Sequence, residues 1–173
     1  MITLQESIDI LVPFEKLSAW ADNFEKEFVK WSPYHLECDL PDGIRQGARV
    51  RFYEIVLGLD YNVSGTLTEC VKGKDGFSFT FVSDKKSAKI TFKGERTEGG
   101  CRFSHTESFG LMKPIIGPIL NFLFFKIIYR KKADWDLIRK DMILDNQYLY
   151  DILVYGRYPE RIPIEMLKKE KKS

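Results

Sequence analysis

The sequence predicts an α+β fold in which a curved antiparallel sheet of about seven strands wraps one long C-terminal helix, with two short helices after the first strand. Three observations carry this. Apolar residues alternate like strands at the N-terminus and again in almost every segment between residues 36 and 109. The later segments are separated by short stretches such as KGKDG and ERTEGG, which join neighbours as an antiparallel meander. After Gly110 the period becomes helical and stays so to about Tyr155, where Gly156, Pro159 and Pro163 end it.

Taken in order, Ile2, Leu4, Ile8, Ile10 and Val12 share one phase of the first strand, and Glu6 sits among them. Pro13 stands at a helix start, and FEKLSAWADNFEKEFVKW reads as two short helices with Asn23 as the break. The stretch from Trp31 to His35 leads into a short strand at 36–40, and PDG at 41–43 is a turn. Strands follow at 48–57, 61–71, 77–82, 88–93 and 101–109. In the first of these Ala48, Val50, Phe52, Glu54 and Val56 share a phase; in the last Cys101, Phe103, His105, Glu107 and Phe109 do. The long helix is expected from about residue 119 to 155, with Ile138, Met142, Leu149 and Ile152 as its inward stripe. One helix covers a curved sheet only in part, and the remainder is a pocket.

A chain of 173 residues, 44% of them hydrophobic, fits a single domain over 1–173, with about 157–173 expected to be an extended, partly flexible basic tail. The balance of 27 basic and 25 acidic residues carries no nucleic-acid footprint. The lysine-rich end reads as a solvated terminus and not as a membrane contact. Three cysteines at unrelated spacings, and an N-terminus that alternates without a basic region, point to a reduced, cytoplasmic chain. The apolar run at 114–129 falls short of the roughly 20 residues a bilayer requires, and Asn121 and Lys126 interrupt it.

Four residues break the apolar phases: Glu6, Glu54, His105 and Glu107. Charged groups are rarely buried without partners, so either these line a wet cavity or the phase slips at a bulge. In the first case they contact a ligand beside Phe52 and Phe103, and His105 with Glu107 forms a candidate acid–base pair. On the long helix Asp145 falls within the apolar stripe and Asp141 on its border, one turn apart, the spacing at which two side chains converge on one ion. The alternative is structural: Asp141 pairs with Lys140 or a base on the sheet, and Asp145 with a neighbouring turn. No phosphate-binding loop, dinucleotide fingerprint or nucleophile elbow occurs.

The element order, the stretch VPFEKLSAWADNFEKEFVKWSP and above all GGCRFSHTESFGLMKPIIGPILNF resemble the START-like, or Bet v 1-like, helix-grip superfamily (SRPBCC), polyketide cyclase and dehydrase type members in particular. The resemblance covers almost the whole chain and implies the helix-grip fold. It also implies a cavity between sheet and helix for a small hydrophobic or aromatic molecule. A weaker resemblance is to the diacetylphloroglucinol and phloretin hydrolases, which cleave carbon–carbon bonds with zinc. Their W-x-P motif followed by a histidine, a strand glutamate and a His-x-x-x-Glu pair on the last helix implies metal ligands at His35, Glu54, Asp141 and Asp145. The last helix carries aspartate at both of its positions, and an oxygen-rich set suits manganese, iron or magnesium as well as zinc.

Three functions therefore stand. Binding of a small hydrophobic or aromatic molecule needs no cofactor. A metal-dependent hydrolase, or a cyclase or dehydratase acting on an aromatic or polyketide substrate, needs a carboxylate or His105 as acid or base, with a divalent ion in the first case. A lipid-handling or membrane-associated protein would use the aromatic start of the long helix and the basic tail.

Overall fold

The computed structural model describes residues 1–56, 59–114, 116–123 and 132–168. They form one antiparallel sheet of seven strands: β1 (Ile2–Ile10), β2 (His35–Asp39), β3 (Arg49–Val56), β4 (Leu59–Lys72), β5 (Gly76–Ser83), β6 (Ala88–Thr97) and β7 (Gly100–Phe109). The spatial order is β1-β7-β6-β5-β4-β3-β2, so β2 to β7 run as the expected meander and β1 closes onto β7. That closure sets Glu6 opposite His105 and Leu4 opposite Glu107.

Between β1 and β2 lie α1 (Phe14–Asp22) and α2 (Phe24–Trp31). Asn23 makes the break. Its backbone N–H and side-chain amide donate to the carbonyls of Trp20 and Ala19, while its own carbonyl accepts from Lys26 and Glu27. The residue thus ends one helix and begins the next, satisfying groups that both termini leave unpaired. The apolar faces of the two helices bury Leu17, Trp20, Phe24, Phe28 and Trp31 against Phe52, Phe79, Phe92 and Phe103 of the sheet. Trp20 and Trp31 meet edge to face with ring centroids 5.2 Å apart, a favoured aromatic geometry.

After β7, the described residues give α3 (Ile116–Leu123) and α4 (Lys132–Tyr155). The expected single helix from about residue 119 agrees at its C-terminal end; residues 124–131 lie outside the described part. Helix α4 packs chiefly along β1. Met142, Leu149 and Ile152 are buried as the stripe requires, and Asp145 and Asn146 are buried with them. Gly156 ends α4 with φ +67°, and its N–H returns to the carbonyl of Ile152, a left-handed helix stop. Among the described residues no helix is long and apolar enough to cross a membrane.

From Gly156 to Pro163 the chain has no helix or strand, and side chains tie it to the domain. Tyr158 donates its hydroxyl to Glu27 at 2.8 Å. Arg161 donates to the carbonyls of Val29, Ser32 and His35 at 2.7–2.8 Å. A short α5 (Ile164–Leu167) then buries Leu167 completely. The physical reason is the C-terminal end of α2, whose last carbonyls need donors and whose partial negative charge favours a cation.

Candidate functional site: an acid–imidazole cluster around Trp31

The junction of α2 and β2 holds His35 in one orientation. Its Nδ1–H donates to the carbonyl of Phe28 at 3.0 Å, and the ring lies flat on that of Phe28, centroids 4.0 Å apart. Nδ1 must carry the proton, since its partner is a carbonyl. Nε2 is thereby turned toward α4 and stands 3.4 Å from Asp145 Oδ2, both side chains being buried. Burial pulls the His35 pKa down, but the Asp145 carboxylate, with Glu54 and Asp141 behind it, more than offsets this and raises it to about 9. His35 is therefore a doubly protonated imidazolium at neutral pH, donating on both sides.

The other members gather around this ion pair. Glu54 is directly across from His35 in the β2–β3 ladder. Burial raises its pKa to about 7, against the pull of His35 and with the help of the negative Glu107 and Asp145. Asp141, one turn before Asp145, is pushed up to about 8, by burial first and then by Asp145 and Glu54. His105 is buried on β7, with Nε2 3.1 Å from Glu107 Oε1, while among the described residues its Nδ1 has no hydrogen-bond partner. Asp145 Oδ1 and Asn146 Oδ1 are likewise buried and unpartnered among those residues.

Trp31 stands at the centre. Its indole N–H donates to the backbone carbonyl of Asp145 at 2.7 Å, tying α2 to α4. Its ring lies 5.3 Å from His35 and 6.1 Å from His105. Phe92 covers the other side of His105 at 4.7 Å. The arrangement is two histidine–carboxylate pairs on either side of one tryptophan, with two further carboxyl groups that retain protons near neutral pH.

The structure thus joins the two sets of candidates that the sequence kept apart: His35, Glu54, Asp141 and Asp145 share one electrostatic cluster with His105 and Glu107. Glu6 stands beside His105 in register but turns to Arg139 of α4, its Oε1 3.2 Å from Nε. Phe52 and Phe103 are packed in the aromatic core, Phe103 against Trp20 and Trp31, Phe52 against Phe28 and Phe81. Asp145 pairs with His35 and not with a turn. Sequence reasoning left out Trp31 and Asn146: the W-S-P stretch marked Trp31, and Asn146 follows Asp145 on the buried face, but neither carried a charge out of phase.

Among the described residues no three His, Cys, Asp or Glu side chains are arranged to hold a metal ion. Elsewhere, a cleft of about 390 Å³ opens between α1 and the β4–β5 hairpin, lined by residues such as Ser18, Asp22, Lys72 and Phe79. It lies toward the opposite end of the strands and touches none of the cluster.

No family model and no curated relative matches the chain. Solved structures do. A protein from Thermus thermophilus is 14% identical, with a TM-score of 0.59, covering 90% of this chain and 99% of that one. The Aha1 dimer from Colwellia psychrerythraea is 14% identical, with a TM-score of 0.57 and coverage of 91% and 99%. A polyketide-cyclase-like protein from Corynebacterium glutamicum is 16% identical, with a TM-score of 0.51 and coverage of 91% and 97%. Similarity at this level establishes architecture, and the chain has the helix-grip fold that its sequence predicts.

Proposed function

We propose that the protein binds a small hydrophobic or aromatic molecule between the sheet and α4, with the acid–imidazole cluster gripping a polar, hydrogen-donating end of it. The observation that carries this reading is the set of buried polar atoms without partners among the described residues, His105 Nδ1 and Asp145 Oδ1, beside the faces of Trp31 and Phe92. A buried polar atom left unpaired costs about 1–3 kcal/mol. A ligand hydroxyl that pairs with such an atom recovers that cost, while its ring packs on the aromatic wall. The polyketide-cyclase-like fold among the structural neighbours is consistent with a pocketed scaffold.

The test uses two probes of one shape, para-propylphenol and propylbenzene. The phenol should raise the melting temperature by roughly 5–10 °C at a hundredfold excess over its Kd, from linkage and the size of the chain. His105→Gln and Asp145→Asn should each reduce the shift. Binding at the cluster is refuted if neither probe raises the melting temperature, or if the hydrocarbon serves as well as the phenol.

A second reading is favoured by Glu54 and Asp141, whose raised pKa values of about 7 and about 8 suit a general acid. In an enzyme of the cyclase or dehydratase kind either acid would protonate a leaving or enolate oxygen, and His105 would take up a proton. This reading routes no step through a metal. It is separated from carriage by recovery of the bound molecule: a carrier returns it unchanged, whereas an enzyme converts it with a rate that falls above about pH 7–8 and is lost when the acting acid is replaced, in Glu54→Gln or in Asp141→Asn.

A further inference from the structure

Helix α3 shows its apolar side chains outward. Its two buried positions are Gly117 and Asn121, one turn apart. Asn121 clamps the backbone of Leu111, accepting its N–H at 2.7 Å and donating to its carbonyl at 2.9 Å. A Cβ on Gly117 would meet the Leu111 carbonyl oxygen at 2.4 Å, so only glycine permits this approach. A small and a polar residue therefore attach the helix, while Ile116, Ile119, Leu120, Phe122 and Leu123 are 43–63% exposed. An ordinary surface helix has the reverse arrangement.

The unpaired charges of the turn and helix root described beside this ridge are basic. Lys113 precedes it, and Lys85 and Lys86 project from the β5–β6 turn; all three are exposed. The turn and the helix root are one unit, because the Lys86 carbonyl accepts the Met112 N–H at 2.9 Å and the Ser87 carbonyl that of Gly110. Asp84 in the same turn is taken up by Arg49 through two hydrogen bonds of 2.6 and 2.7 Å. Between Lys113 and Leu123 there is no acidic residue.

We propose that α3, flanked by Lys85, Lys86 and Lys113, docks the protein on an anionic lipid bilayer. The apolar ridge enters the boundary of the acyl chains and the lysines meet headgroup phosphates, the pairing that holds interfacial helices. Charge favours this occupant over a second copy of the chain: a two-fold interface would set each lysine collar close to its mate. The location adds a reason. The β1–β7–β6 row Ile2, Phe109 and Ala88 lies two residues beyond the row Leu4, Glu107 and Ile90, so α3 follows β7 at the end of the sheet nearest the acid–imidazole cluster. An apolar ligand would reach that end from the bilayer. The docking stands on α3 and the lysines alone, independent of the ligand reading.

Vesicle co-sedimentation tests it, with phosphatidylcholine vesicles containing phosphatidylserine against phosphatidylcholine alone. The wild-type chain should sediment with the anionic vesicles and much less with the neutral ones. Lys85→Gln with Lys86→Gln should weaken binding roughly thirtyfold at low salt, from the usual contribution of one lysine near a charged surface. Ile119→Asp with Phe122→Asp should abolish it while circular dichroism and the melting curve stay unchanged, since both side chains are exposed. The proposal is overturned if the wild type stays in the supernatant with both vesicle types, or if the aspartate variant sediments as well as the wild type. It is equally overturned if sedimentation velocity shows a dimer that those aspartates dissolve while lipid binding is absent.

Discussion

His35 is restrained by three neighbours, each removing a different freedom: the Phe28 carbonyl fixes Nδ1, the Phe28 ring fixes the plane, and Asp145 fixes Nε2. The consequence is measurable as a pH dependence. His35, Glu54 and Asp141 all have pKa values raised in the folded state, to about 9, about 7 and about 8 from ordinary values of 6.5, 4.5 and 3.8. Each contributes stability that is complete below its ordinary value and lost as pH rises through its folded value, because the folded chain then holds more protons than the unfolded one. The melting temperature should therefore fall between about pH 5 and about pH 9. Asp141→Asn removes one of these acids, so it should flatten the fall and raise the melting temperature at pH 8 by at least about 3 °C, with a smaller rise at pH 5. A wild-type curve that rises over this interval would contradict the arrangement. At this scale Glu6, Glu54, His105 and Glu107 were legible in the sequence, since a charge out of phase on a strand stands out, and Asp141 and Asp145 as a pair on a helical stripe, whereas His35 came only from the hydrolase resemblance. Their partners were not: nothing in a one-dimensional pattern says that Asp145 meets His35, far away along the chain, or that Trp31 lies between the two histidines.

At the scale of elements, the pattern of α1, Asn23 and α2 was readable because local chemistry decides it: a proline at the start, an amide at the break, apolar residues at helical spacing. The docking of the chain after Gly156 was not, because it depends on carbonyls that α2 leaves exposed to Arg161 and on a seat for Leu167 beside β3. That docking should matter to stability. Leu167→Ala empties a fully buried site and should cost about 2–4 kcal/mol in urea unfolding, whereas Met166→Ala on the exposed face should cost under about 0.5 kcal/mol. Equal, small effects from both would mean that α5 is not seated against the sheet. Because Arg161 also binds the carbonyl of His35 itself, Arg161→Ala should loosen the cluster as well as the C-terminal segment.

For the whole molecule, the meander from β2 to β7 was expected from short turns, and the return of β1 to β7 followed only from the resemblance to helix-grip proteins. That return places Glu6, His105 and Phe92 in one row across the sheet. It also brings α4 over β1, where Arg139 meets Glu6 of that row. The cluster is thus a product of topology, drawing on β2, β3, β7 and α4, with an aromatic core from α1 and α2 behind it. The chain has only two histidines, His35 and His105, and both belong to the cluster. Their ring resonances in a proton–carbon NMR spectrum therefore report on the proposed site without interference. On addition of para-propylphenol both sets of resonances should move together and saturate with one Kd, and His35 should remain protonated up to about pH 9. Two histidine spectra unchanged at a phenol concentration that saturates any other signal of binding would contradict the account.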